Sequence, residues 1–75
     1  MLLNELNIGE RAIVKEVSKA SKMRQRFIDI GIVSGTKVEC VLVSPSMDPK
    51  AYMIKGAVIA IRSEDAKFIK VEKVA

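Results

Sequence analysis

β-branched residues dominate the apolar part of this 75-residue chain, which contains nine valines and nine isoleucines but only four leucines. Such side chains lose rotamer freedom in helices and pack well on a pleated sheet, so the bias predicts a mostly β protein. The length allows one domain, residues 1–75. A chain this short buries only about 60–65% of the surface that its unfolded form exposes, and we therefore expect a thin core.

Five segments show the alternation or the short apolar run that is typical of strands. They are residues 11–17, 37–43, 51–54, 57–62 and 69–72. In the second segment, Val38, Cys40 and Leu42 are expected to share one buried face. Lys55 and Gly56 separate the third segment from the fourth and predict a tight hairpin turn.

Residues 22–30 have helical periodicity, because three apolar side chains recur at i, i+4 and i+7. These side chains are Met23, Phe27 and Ile30. Ser21 is expected to cap the N-terminus of this helix, and Gly31 to end it in a left-handed conformation. Residues 2–6 and 63–66 predict short helical turns, the second beginning with Ser63 as its cap.

Five short strands favour a small barrel, because closure removes the exposed edges of a sheet. Both SH3-like and OB-type barrels contain five strands. In an OB-fold the helix usually lies between the third and fourth strands, whereas here it lies between the first and second. The order therefore predicts a five-stranded SH3-like barrel with one short α-helix and short helical turns.

Catalysis and metal binding find little support in the composition. The chain has no histidine and one cysteine, which removes the commonest general base and any thiolate cluster. Cys40 alternates with apolar neighbours and is expected to be a small buried side chain. The adjacent acids Glu64 and Asp65 fit a helix N-terminus better than a metal site. We expect no catalytic, metal or cofactor site, and a protein that acts by binding.

The compartment is predicted from three further features. No apolar run approaches the roughly 20 residues that a membrane-spanning helix requires. No basic and then apolar leader is visible at the N-terminus. A free thiol suits a reducing environment. The sequence therefore predicts a cytoplasmic protein without direct membrane insertion.

Residues 26–38, RFIDIGIVSGTKV, resemble the helix–glycine–turn–glycine–strand segment of the FeoA family of bacterial ferrous iron transport. The match continues in the same order at residues 48–49, 54–56 and 59–62. The resemblance covers residues 2–74 and implies an SH3-like barrel, a cytoplasmic location and a role beside FeoB, the membrane transporter with a cytoplasmic GTPase domain. Met47 departs from the pattern, since many relatives have glycine before the Asp-Pro pair.

The resemblance implies a non-enzymatic accessory protein of ferrous iron uptake that binds or regulates the FeoB-type transporter. A metal-sensing or nucleic-acid-associated regulatory barrel is the alternative, because a related domain ends repressors of the diphtheria-toxin-repressor type. Basic residues between positions 15 and 26 would suit phosphate contacts. Single-strand binding also needs aromatic platforms, and Phe27 and Phe68 are expected in the core. Nucleic acid is therefore not the predicted partner.

Candidate partner-binding residues fall into two groups. One is a basic helix face formed by Lys22, Arg24 and Arg26. The other comprises the proline-containing loop and the strand after it, namely Met47, Asp48, Tyr52 and Met53. Methionines suit a contact that repacks. Tyr52 and Met53 are out of phase, so one of them faces outward. Two alternatives stay open, an Arg26–Asp29 ion pair and self-association through an open strand edge.

Overall fold

The computed structural model describes residues 1–74, which form one five-stranded sheet and short helices. In chain order the elements are a 3-10 helix at Leu3–Glu5, β1 at Arg11–Val17, α1 at Arg24–Asp29, β2 at Lys37–Val43, β3 at Lys50–Ile54, β4 at Ala57–Ile61, α2 at Ser63–Ala66 and β5 at Ile69–Val74. The mostly β fold is confirmed. The helix between the first two strands is also where the sequence predicts it.

All strands are antiparallel, and their order in the sheet is β4-β3-β2-β1-β5. Lys55 and Gly56 have φ angles of 48° and 83°, so they form the two-residue type I′ turn that suits the twist of a hairpin. Leu2 bridges to Lys70 on β5. Closure predicted from the sequence would remove every edge. Within residues 1–74, however, β4 pairs with β3 alone, and its other edge is free.

One hydrophobic core receives side chains from all five strands. Tyr52 is its largest fully buried side chain, and the hydroxyl donates to the Leu3 carbonyl at 3.4 Å. Cys40 is fully buried, as predicted. The prediction for Phe68 is wrong, because this side chain is only half-buried and lies outside the core cluster. Its ring lies beneath the ammonium group of Lys67, 5.4 Å from the ring centre.

A one-residue bulge in β2 overturns the expectation for Leu42. Cys40 pairs with Tyr52, but Leu42 pairs with Ala51, so Val41 is an extra residue on β2. Because side chains alternate along a strand, one extra residue exchanges the inner and outer faces. Leu42 is consequently 61% exposed.

The ends of α1 differ in how well the sequence predicts them. The helix begins two residues later than expected, and its N-cap position is occupied by Met23. The Ser21 hydroxyl accepts a hydrogen bond from the backbone N–H of Met23 at 3.1 Å, so it forms a turn ahead of the helix. Gly31 ends the helix as predicted, with φ at 101°. The N–H of Ile32 then donates to the Phe27 carbonyl at 2.8 Å, completing a Schellman motif.

Candidate partner-binding surface

The basic residues near α1 do not share one face. Arg24 and Arg26 are two positions apart, which is about 200° around a helix. The Nε–H of Arg24 donates to the Val17 carbonyl at 3.3 Å, on the side of β1. Arg26 instead lines the space beside β4. Lys22 precedes the helix and is exposed. The prediction of a single basic face is therefore wrong, and Arg26 alone of the three lies beside β4.

The loop between β2 and β3 contains one exposed and one engaged candidate residue. Met47 has a φ of 72° and is 66% exposed. The Asp48 carboxylate accepts a hydrogen bond from the backbone N–H of Ser63 at 2.8 Å. Arg62 occupies the N-cap position of α2 without a capping side chain, so the predicted cap at Ser63 is wrong and Asp48 satisfies this N–H. Asp48 has a structural contact here.

On β3, Tyr52 points inward and Met53 outward. Tyr52 is 0% exposed, and burial raises the pKa of its hydroxyl. Its side chain is out of reach of a partner, so its inclusion among the candidate contact residues is wrong. Met53 is 38% exposed and lies opposite Val58 of β4. Met53 is near the hairpin and Met47 precedes the other end of β3, so the structure does not bring the two methionines together.

A groove of about 390 Å³ lies between α1 and β4. Its apolar lining comes from both elements and consists of Met23, Phe27, Ile30, Ile59, Ala60 and Ile61. Ile30 is 37% exposed because it faces this groove rather than the core. Three charged side chains complete the lining, namely Arg26, Arg62 and Asp65. The groove is therefore apolar along its walls and carries more positive than negative charge.

The free edge of β4 borders this groove. Ile54 and Ala57 close the two-residue turn, and hydrogen-bonded pairs then alternate along an antiparallel ladder. Ala57 and every second residue after it bond to β3, so the backbone N–H and C=O groups of Val58 and Ala60 point away from the sheet. Val58 is 58% exposed. The sequence left an open strand edge as an alternative but did not assign it to β4, since a strand that is apolar on both faces is typical of a sheet interior.

The arginines beside the groove are weakly engaged. Gln25 donates to the Asp29 carboxylate at 2.9 Å, and Arg26 has no ion pair within residues 1–74, so the alternative Arg26–Asp29 pair is absent there. Arg62 lies 3.9 Å from Glu64, and both side chains are about 70% exposed. An exposed pair at that distance contributes little stability. Both guanidinium groups are thus available to a carboxylate.

Two shorter ion pairs connect β5 with β1 and with the residue before β1, at the end of the strand order opposite β4. Lys15 contacts Glu72 at 2.9 Å, and Lys73 contacts Glu10. Hydrogen bonds from these lysines lower the pKa of both carboxyl groups. Three of these side chains are exposed, whereas Glu10 is partly buried, with 23% of its side chain accessible. None of the four lines the groove beside β4.

Residues 1–74 contain no group of three His, Cys, Asp or Glu side chains arranged to hold a metal ion. None of the helices they form has the length and hydrophobicity needed to cross a bilayer.

The chain matches the family model of the FeoA domain over residues 1–73. It belongs to the FeoA family. A relative in Porphyromonas gingivalis is described as an Fe(2+) transport protein A/Fe(2+) transporter FeoB fusion protein. It is 33% identical over 75 residues, a match that spans the whole chain but only 9% of the fusion protein.

Solved FeoA structures share the fold. The FeoA protein from Chlorobium tepidum superposes with a TM-score of 0.91 at 33% identity, over 100% of this chain and 71% of that one. FeoA from Stenotrophomonas maltophilia, solved with zinc and described as a procaryotic SH3 domain protein, gives a TM-score of 0.86 at 26% identity. That match covers 96% of this chain and 89% of the other. The SH3-like fold of this FeoA-family chain is thereby confirmed.

Proposed function

We propose that this FeoA-family chain is a non-enzymatic accessory protein of bacterial ferrous iron uptake that binds the cytoplasmic part of a FeoB-type transporter. The fusion relative is the observation that carries this proposal, because it joins the counterparts of the two proteins in one chain. Covalent joining holds two modules at a high effective concentration. This chain corresponds to 9% of the fusion protein, and the separate transporter would supply the remainder.

Action by contact, without chemistry, is supported by the side chains themselves. The chain lacks histidine, and its one thiol, Cys40, is buried with a pKa raised by burial. A cysteine nucleophile near neutral pH needs the opposite, an accessible thiol with a lowered pKa. We therefore propose that the protein binds its partner without a resident metal or cofactor, in the cytoplasm, because the family resemblance implies a transporter with a cytoplasmic GTPase domain.

A metal-sensing or nucleic-acid-associated barrel is less well supported. Two cations of the basic run are already engaged, Lys15 with Glu72 and Arg24 with the Val17 carbonyl. Phe27 is buried, so it offers no stacking surface to a base.

The test is a binding measurement with the purified cytoplasmic part of a FeoB-type transporter from the same organism. We expect a saturable complex, a GTPase rate that changes when this chain is added, and impaired ferrous iron uptake in a deletion strain. Uptake should return when the chain is expressed again. Absence of binding together with normal uptake in the deletion strain would overturn the proposal.

A further inference from the structure

We propose that the free edge of β4 and the adjoining groove bind an extended segment of the partner as an additional strand. This strand-docking surface comprises Val58, Ala60 and the groove lining of Met23, Arg26, Ile30, Ile59 and Arg62. The segment it fits is apolar at alternate positions and carries a carboxylate next to the two arginines. The inference rests on the proposed function, because it assigns this segment to the cytoplasmic part of the transporter.

The two edges of the sheet differ in a way that singles out β4. The edge of β5 is covered by the start of the chain, since the N–H of Val71 donates to the Met1 carbonyl at 2.8 Å and Leu2 bridges to Lys70. No backbone segment within residues 1–74 covers β4 in this way. Val58 and Ala60 therefore present two N–H and two C=O groups in the spacing that an added strand requires.

Side chains on an added strand would find apolar contacts. Those facing inward would enter the groove between Ile59 and Ile30, where Ile30 is still 37% exposed. Those facing outward would lie beside Val58, which is 58% exposed, and Met53 behind it. Burying such surface is favourable in proportion to its area, and a methionine adapts to the shape of its neighbour.

Charge distinguishes a foreign segment from a second copy of this chain. Two copies of β4 could pair antiparallel through Val58 and Ala60, but that two-fold register would place the uncharged Gly56 of one copy opposite Arg62 of the other. Neither the turn at Gly56 nor Ala57–Ile61 carries a carboxylate, so the paired strand of a second copy offers no acid to Arg26 or Arg62. Arg26 and Arg62 are instead suited to bidentate contact with a carboxylate, and Asp65 is the one acidic residue in the groove lining. The occupant is therefore an acidic-ended strand of another protein.

Amide hydrogen exchange of the full chain, free and bound to the transporter's cytoplasmic part, tests the surface directly. We expect exchange at Val58 and Ala60 to slow at least tenfold in the complex. Val58→Pro should weaken binding at least tenfold yet keep the thermal midpoint, because the N–H that proline lacks faces solvent. Arg26→Glu should weaken binding at least fivefold, and its matched control Lys22→Glu should have little effect, since Lys22 lies outside the groove lining.

The outcomes separate this inference from the proposed function. Binding without protection at Val58 and Ala60, unchanged by both variants, would overturn the strand-docking surface and leave the partner in place. Failure of the wild-type chain to bind would overturn the partner. In that case the surface is tested alone with a synthetic peptide of alternating valine and threonine that has two glutamates at one end. If this peptide does not slow amide exchange at Val58 and Ala60, the inference is also overturned. A dimer that Val58→Pro dissociates would show that a second copy is the occupant and contradict our choice.

Discussion

The Asp48 carboxylate accepts a hydrogen bond from the backbone N–H of Ser63 at 2.8 Å, although the two residues are 15 positions apart. The bond connects the loop before β3 with the first residue of α2. Helix N–H groups of the first turn have no partner within the helix, so an acceptor from elsewhere satisfies one of them. Because α2 follows β4 directly, the contact also fixes the end of the strand whose edge is free.

Asp48→Ala should lower the free energy of unfolding by about 1 kcal/mol, the usual effect of losing a capping acceptor. The measurement is urea unfolding followed by circular dichroism. Asp48→Asn is the control, because its amide oxygen can still accept the hydrogen bond. Its free energy of unfolding should decrease by less than that of Asp48→Ala. Equal losses in the two variants would show that the bond to Ser63 is not the cause.

Met47→Gly should raise the free energy of unfolding by about 0.5–1 kcal/mol. The φ of 72° at Met47 lies in the left-handed region, which costs residues with a Cβ atom about 1 kcal/mol and glycine almost nothing. Thermal and urea unfolding measure the change. Met47→Ala retains the Cβ atom and should show no such gain. A gain of the same size in the alanine variant would point to the exposed side chain rather than the backbone.

Gly31→Ala should destabilise the protein by about 1–2 kcal/mol through its φ of 101° alone. A Cβ atom there would also lie 2.8 Å from Cδ of Lys55, whose stem crosses the end of α1. Gly35→Ala is the matched control, with a φ of 93° and no atom within 4 Å of the added carbon.

A double-mutant cycle isolates the contact between Gly31 and Lys55. The loss in unfolding free energy caused by Gly31→Ala should be about 0.5 kcal/mol smaller when Lys55 is also replaced by alanine, because Cδ of Lys55 is then absent. Unfolding in urea of the two single variants and the double variant gives the coupling. A coupling energy of zero would mean that the lysine stem moves aside without cost.

Alkaline pH should destabilise the protein because two buried groups resist ionisation. Burial raises the pKa of Cys40 from 9.0 and that of Tyr52 from 10.0. The unfolded chain then loses these protons at lower pH than the folded chain does, so stability is full below about pH 9 and falls above it. Tyr52→Phe should reduce the fall above pH 10. An unfolding free energy that stays constant from pH 8 to pH 11 would contradict this.

Acid should act through two ion-paired carboxylates near β1 and β5. Lys73 and Lys15 hold the pKa values of Glu10 and Glu72 below their usual 4.5. A depressed pKa contributes stability that is present above the unfolded value and is lost as pH falls through the folded value. The melting temperature should therefore decrease as the pH is lowered beyond about 4.5. In the Lys73→Met variant the melting temperature should decrease less steeply over the same pH range. Because at least one partner of each pair is exposed, 1 M salt should also flatten the profile.

Local patterns in the sequence were sufficient to predict most of the fold. β-branched residues, strand alternation and Gly31 predicted the strands and the end of α1. Val38 and Cys40 point inward as the pattern requires, but the bulge at Val41 then turns Leu42 outward. Nothing in the alternation marks that bulge, because the residues on both sides of it are apolar.

The candidate surface was harder to predict, since it depends on which elements become neighbours. The alternation shows that only one of Tyr52 and Met53 faces the core. Which one it is follows only once β3 is placed between β2 and β4. The free edge of β4 follows from strand order, which the sequence does not state. Asp48 resembles an exposed loop acid until the chain returns 15 residues later to bring the N–H of Ser63 against it.

An edge without charge or proline along Ala57–Ile61 also has a consequence for protein production. Such an edge, when unoccupied, is a template for pairing with an unfolded chain. If the transporter occupies this edge, as we propose, copies made in excess of the transporter are the ones at risk, so the relative amounts of the two proteins matter as well as their affinity. Joining both proteins in one polypeptide, as in the Porphyromonas gingivalis relative, fixes that stoichiometry at translation.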